Sequence, residues 1–68
     1  MTRAEFLNDL YHRLRGMTKE QAEQHLTYYA EMLADRMEEG MSEAEAVESM
    51  EDVETIARRI LEEEGLPP

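Results

Sequence analysis

Cysteine is absent from the 68-residue chain, which also has no tryptophan and only three glycines and two prolines. Without a thiol, the chain cannot form a disulfide, use a cysteine nucleophile or bind a metal through thiolates. This absence fits a reducing compartment. No apolar run approaches the roughly 18 residues of a membrane span. The opening MTRAEFLNDLY carries charges in a helical pattern, so it does not resemble a secretory signal peptide.

Basic residues are scarce as well. The chain has 7 Lys and Arg residues against 17 Asp and Glu residues, which gives a formal net charge of −10. Proteins bind nucleic acids largely through basic side chains that displace counterions, and anionic membranes attract basic segments for the same reason. We therefore expect neither nucleic acid nor an anionic membrane as a partner, and a protein partner should offer a basic surface.

One short pattern is written twice and a related one opens the chain, as GMTKEQA at residues 16–22, GMSEAEA at residues 40–46 and MTRAEF at residues 1–6. In each, Thr or Ser is followed three residues later by Glu or Gln, which is the pattern of a capping box at a helix N-terminus. The three pairs are Thr2/Glu5, Thr18/Gln21 and Ser42/Glu45. The pattern therefore predicts three helix starts and has no catalytic meaning.

The residues around these boxes agree with the interpretation. A Met precedes each hydroxyl residue, and an apolar residue follows at the position that completes a hydrophobic staple. The staple pairs are Met1/Phe6, Met17/Ala22 and Met41/Ala46. Gly16 and Gly40 stand where the preceding helix must stop, in the left-handed conformation that glycine tolerates best.

Apolar residues recur every three or four positions in four segments, which predicts helices at residues 3–15, 19–39, 43–50 and 53–64. The fourth start is weaker, because Asp52 can cap the helix but Thr55 replaces the Glu or Gln of a box. No segment alternates with period two. We predict an all-α, compact four-helix domain over residues 1–65, built around the long second helix, with residues 66–68 as a tail or the start of a linker.

No pattern of catalytic or cofactor-binding residues is present, so we expect a protein that is not an enzyme and holds no cofactor. His12 and His25 lie on different predicted helices without the spacing of metal ligands. The carboxylates near the end of the second helix lack the oxygen order and central glycine of a calcium loop. A cation held by these carboxylates is left as an alternative, which predicts a melting temperature that rises with calcium or magnesium.

The second helix carries the candidate interaction surface. Tyr28 lies off the main apolar stripe, whereas Tyr29 is expected in the core. A half-exposed aromatic beside Met32 and clustered carboxylates would suit a basic protein partner. The candidate partner-binding residues are Tyr28, Glu31, Met32, Asp35 and Glu38.

Two other functions fit parts of the sequence. Residues 42–61 have the spacing of a helix-turn-helix, with Thr55, Arg58 and Arg59 facing outward. Acidic residues would however occupy the N-terminal end of its recognition helix, where contacts to bases are made. The chain could also be a small homo-oligomeric scaffold, because so short a chain can need a second copy to complete its core.

Taken in order, these features resemble the HAAS domain, the helix-turn-helix-associated α-helical signalling module. The resemblance rests on MTRAEFLNDL, on LTYYAEMLADRMEEG with its Tyr28-Tyr29 pair, on MSEAEAVESM and on EDVETIARRIL. It covers nearly the whole chain. One segment differs from the family pattern: Glu51-Asp52-Val53 stands before the last helix, where the family usually has Gly-Ser-Pro. This departure leaves open whether the third and fourth helices are separate or run together with a kink.

The resemblance implies a role in signalling without an active site. Such domains are similar to cytoplasmic heads of bacterial membrane proteins, and they are commonly encoded beside PadR-type transcription regulators. The expected location is therefore cytoplasmic, with a tether to the membrane in a full-length protein, and the expected partner is a PadR-type regulator. Pro67 and Pro68 after a glycine are typical of the start of a linker, which favours the head of a longer protein over a stand-alone version.

Overall fold

The computed structural model describes all residues from 1 to 68 and contains four α-helices and no strand. The helices are α1 (Arg3–Arg13), α2 (Lys19–Glu38), α3 (Glu43–Glu48) and α4 (Val53–Glu63). They pack into a body of 36 × 20 × 17 Å, and α2 spans about 30 Å of its length. The predicted all-α four-helix fold is confirmed. None of the helices has the length and apolarity needed to cross a bilayer.

All three predicted capping boxes form. Thr2 Oγ1 accepts a hydrogen bond from the Glu5 N–H at 3.1 Å, and the Glu5 carboxylate accepts one from the Thr2 N–H at 2.8 Å. The same reciprocal bonds join Thr18 to Gln21 and Ser42 to Glu45. Each box satisfies backbone donors that the first turn of a helix leaves without partners.

The predicted staples contribute less than the boxes. Met17 packs against the core, but Met1 is 65% exposed and Met41 is 40% exposed, so these two bury little apolar area. Gly16 and Gly40 were predicted to end their helices with a left-handed backbone, and this is confirmed, because φ is +92° at Gly16 and +117° at Gly40. At the end of α2 the Gly40 N–H donates back to the Met37 carbonyl at 3.1 Å, as in a Schellman motif.

Each helix ends one or two residues earlier than predicted. α3 stops at Glu48, where the Ser49 hydroxyl donates to the Ala46 carbonyl at 2.6 Å and competes with the helical pattern. Residues 49–52 then separate α3 from α4, so the two helices do not run together. The prediction that the Asp52 side chain caps α4 is wrong, because it makes no cap hydrogen bond. Burial of Val53 and Ile56 holds the first turn of α4 instead.

The core contains 13 buried residues and no buried charged group. They are Phe6, Leu10, Leu14, Ala22, Tyr29, Leu33, Ala46, Val47, Val53, Ile56, Ala57, Ile60 and Leu61. The backbone of α1 approaches all three other helices, whereas α2 approaches α1 and α3. We expected the shorter helices to gather on α2, but α4 packs on α1. The α2 and α4 backbones therefore remain further apart, with side chains between them.

The end of the chain packs against the connection between α1 and α2. The Leu66 N–H donates to the Leu61 carbonyl at 2.8 Å and closes the last turn of α4. The Leu66 side chain then lies against Gly16, where an added Cβ would stand 3.5 Å from a Leu66 methyl carbon. A side chain at Gly16 would therefore have an unfavourable φ, while its Cβ would be in ordinary van der Waals contact with Leu66.

The charged capping boxes predict a loss of stability in acid. The pKa values of Glu5 and Glu45 lie below their ordinary value of 4.5, first because each carboxylate accepts a hydrogen bond from the backbone N–H of its cap residue. A carboxyl with a lowered folded-state pKa stabilises the fold above its unfolded pKa, and this contribution disappears as the pH falls through the folded value. We therefore expect the free energy of unfolding to decrease below about pH 4.5.

The Thr18/Gln21 box suggests a test of this acid sensitivity, because the Gln21 side chain accepts the same bond from the cap N–H without carrying a charge. In a Glu5→Gln/Glu45→Gln variant, we expect a smaller difference in unfolding free energy between pH 7 and pH 3 than in the unsubstituted chain. Urea titrations followed by circular dichroism at both pH values measure this difference. An undiminished difference in the variant would show that these carboxylates do not carry the acid sensitivity.

Candidate protein-interaction surface

The regular turn of α2 brings the predicted interaction residues onto one face. Tyr28, Glu31, Met32 and Asp35 follow one another at spacings of three and four residues, and they line one shallow depression together with Ala34. Glu38 is exposed one turn further along the helix. The sequence therefore identified a contiguous stretch of surface.

An aromatic contact holds Tyr28 in place on this face. Its ring packs edge-on against Tyr29, with the ring centroids 5.0 Å apart and the ring planes at 89°. Tyr29 is only 8% exposed and belongs to the core, as predicted, whereas Tyr28 is 57% exposed. Edge-to-face packing is a favourable arrangement of aromatic rings. Tyr28 is thus an exposed ring supported by a buried one.

A groove lies between α2 and α4, where the two backbones remain apart. Its floor consists of the buried side chains of Tyr29, Ile56 and Ile60. This α2–α4 groove consists of two adjoining depressions, which share Tyr28, Tyr29 and Arg59. The walls of the first also include Gln24, His25, Glu63 and Glu64, and those of the second include Met32, Arg36, Ser49, Met50 and Glu51. Tyr28 lines both this groove and the neighbouring depression, so it stands where the two meet.

An ion pair fixes Arg59 at the wall of the groove. Its guanidinium donates to both carboxylate oxygens of Glu51, at 2.6 and 3.3 Å. The pKa of Arg59 is raised, first by the bond to Glu51 and then by a hydrogen bond with Tyr29. The pKa of Glu51 is lowered, first by the hydrogen bond from Arg59 and then by its charge. Sequence analysis missed this pair because Glu51 precedes the helix that carries Arg59.

Glu64 closes one end of the groove through its contacts with α2. One oxygen of this carboxylate lies 3.1 Å from His25 Nε2, and the other accepts from the Gln21 amide at 3.2 Å. His25 is half-buried. His12, in contrast, is exposed, with Nδ1 2.8 Å from the carbonyl of Asn8. The two histidines act in separate local contacts.

On the opposite side of α4, three of the seven Lys and Arg residues lie close together. A depression between α1 and α4 is lined by His12, Arg13, Arg15 and Arg58, with Glu54 beside them. Arg13 donates to Asp9 at 3.0 Å. The outward residues of the alternative helix-turn-helix therefore divide: Arg58 faces α1, whereas Arg59 is bound to Glu51. They do not form one basic face.

The side chains on these surfaces are of the types found at contacts between proteins. No three His, Asp or Glu side chains stand close enough to hold a metal ion together. Around the α2–α4 groove, an exposed aromatic, half-buried thioethers and unpaired carboxylates lie within one area. Such a mixture is typical of protein interfaces, which bury apolar groups at the centre and keep charges at the rim.

Comparison with known proteins places the chain in a family. No curated protein and no solved structure matches it. The HAAS family model, however, matches residues 5–59 of the 68-residue chain, from the first turn of α1 to the middle of α4. The match includes the complete α2 and α3, the exposed Tyr28 and the Glu51–Arg59 pair. The family is one of signalling and interaction modules, and the chain belongs to it: this is a HAAS domain.

Proposed function

We propose that this HAAS domain is a non-enzymatic protein–protein interaction module, and that it works as the cytoplasmic head of a bacterial membrane protein. Its partner in this proposal is a PadR-type transcription regulator encoded beside it. The domain contributes a binding surface and no chemistry. It needs no metal or cofactor, and its acidic surface keeps it away from nucleic acid.

A single observation supports the proposal most directly. Tyr28 is 57% exposed, and its ring packs edge-on against Tyr29. It lies on the same face of α2 as Glu31 and Asp35. Tyrosine is enriched among residues that dominate binding energy at protein interfaces. Neither carboxylate forms an ion pair within the chain, so both are free to face a basic partner. The net charge of −10 would also accelerate encounter with such a partner.

The test reverses charge on this face. In a Glu31→Lys/Asp35→Lys/Glu38→Lys variant, we expect binding to the neighbouring PadR-type regulator to weaken at least about tenfold, because attraction becomes like-charge repulsion. Isothermal titration calorimetry with the purified regulator measures this change, at low and at physiological salt. Screening should reduce the difference at the higher salt concentration.

A second triple variant controls for net charge. Glu23→Lys/Glu48→Lys/Glu62→Lys changes the charge by the same amount at exposed positions outside this face. We expect it to retain most of the affinity. Unchanged affinity in the first variant would remove the α2 face from the proposal. An equal loss in both variants would show that bulk charge, and not this surface, governs binding.

A further inference from the structure

We propose that the α2–α4 groove is the seat for a short, basic, amphipathic helix of the partner protein. This inference rests on the proposed function and adds to it the position of the contact and the chemistry of the bound segment. The acidic face of α2, formed by Glu31, Asp35 and Glu38, then makes one rim of the binding site. The centre of the site lies between α2 and α4.

The dimensions of the groove suit a helix of about three turns. Along α2, the two depressions together run from His25 to Arg36, a distance of about 16 Å at 1.5 Å per residue, and Arg59 lines both of them. The bond of Glu64 to His25 closes one end, and the bond of Arg36 to Ser49 closes the other. Grooves between helices commonly bind an amphipathic helix through apolar anchors spaced by three or four residues.

The centre of the groove offers apolar surface to such anchors. Tyr28 is 57% exposed at its edge, and Met32 and Met50 are half-buried on opposite walls. Methionine side chains adapt their shape to a ligand more readily than branched side chains. Beneath them lie Ile56 and Tyr29, which give the groove a firm base.

The charges around the groove indicate which charge the bound helix should carry. Of the two guanidiniums in its walls, Arg59 is paired with Glu51, whereas Arg36 donates to the neutral Ser49 hydroxyl and keeps its positive charge at that end of the groove. Three carboxylates have no hydrogen-bonded or ionic partner within the chain: Glu63 in the groove wall on α4, and Glu31 and Asp35 in the neighbouring depression on α2. Free carboxylates therefore flank both sides of an apolar centre, and a helix with Lys or Arg on its edges complements them.

A synthetic peptide tests the groove directly. The probe is a helix of about 12 residues with Leu along one face and Lys elsewhere, long enough for three turns. The control peptide has the same composition in an order that breaks the apolar face. With isotope-labelled protein at about 20 mM salt, where charge screening is weak, we expect the first peptide to shift the amide resonances of Tyr29, Met32, Ile56 and Arg59. The control peptide should bind far more weakly.

Two tyrosine variants refine the test. Tyr28→Ala should weaken binding of the amphipathic peptide at least about tenfold, as expected for an aromatic anchor. Tyr11→Ala removes a ring that is 40% exposed on α1, outside the groove, and should leave the affinity unchanged. Circular dichroism establishes that both variants are folded. Equal effects of the two variants, equal binding of the two peptides, or no binding at low salt would each overturn the groove proposal.

The proposed function can fail separately from the groove. Resonance shifts confined to Glu31, Asp35 and Glu38 would leave the acidic face as the contact and remove the groove. Conversely, the groove can bind the peptide while the regulator binds neither the unsubstituted chain nor the Tyr28→Ala variant. In that case the groove is a helix-binding site, and the regulator is the wrong partner.

Discussion

Replacement of Leu10 by Ala should lower the free energy of unfolding by about 2–5 kcal/mol, the usual cost of removing a fully buried leucine side chain. Leu10 is 0% exposed and lies on α1, the helix whose backbone approaches the other three. A cavity at this position borders several helices at once, so a small shift of one helix cannot fill it. The expected loss is therefore in the upper part of the range.

Urea titration followed by circular dichroism measures this loss, with Tyr11→Ala as the matched control. Tyr11 is the next residue on the same helix, but it is 40% exposed, so its replacement should cost far less. A domain this small buries only about 60% of its unfolded surface and has a thin margin of stability. The Leu10 variant should thus be partly unfolded even without urea. Similar midpoints for the two variants would contradict the central position of α1.

Removal of all three capping hydroxyls should cost about 3 kcal/mol, from about 1 kcal/mol for each cap. The variant is Thr2→Ala/Thr18→Ala/Ser42→Ala. Each hydroxyl accepts from the backbone N–H three residues later at 3.1 Å, and that donor would otherwise depend on water. The Thr18 contribution should add to the others, whereas the caps of α1 and α3 are coupled because the Arg3 N–H donates to the Glu43 carboxylate at 2.8 Å.

A control variant isolates the cap effect from the loss of hydroxyls. Thr27→Ala/Thr55→Ala changes two exposed threonines within α2 and α4, where alanine is the better helix former. Its stability should stay equal or rise slightly, whereas the cap variant should unfold at a clearly lower urea concentration. A cap variant as stable as the control would mean that packing alone fixes the helix starts.

The helix starts could be predicted because their cause is local. Thr18 and Gln21 stand three residues apart, and the bonds between them need only the first turn of a helix. The start of α4 follows a different cause, since Asp52 makes no cap bond and burial of Val53 and Ile56 holds the turn. That burial depends on α1, which no local pattern near Asp52 reveals.

The candidate surface on α2 could also be predicted because its cause is local in the sequence, whereas the groove beside it could not. Tyr28, Glu31 and Met32 share a face by helical spacing alone. The groove, in contrast, exists because α4 packs on α1 and leaves α2 at a distance. Its walls are tied by contacts between residues far apart in sequence, such as Glu64 with His25. Spacing within one helix carries no information about such contacts.

The side-by-side packing of the first and last helices has a consequence for how the chain reaches its native state. Leu66 rests on Gly16, so segments from opposite ends of the chain must meet before the interior is sealed. The entropy of closing so long a loop has to be offset by the contacts made on closure. An intermediate with only the first three helices would leave one side of α1 open to water. The domain should therefore assemble and come apart as one cooperative unit.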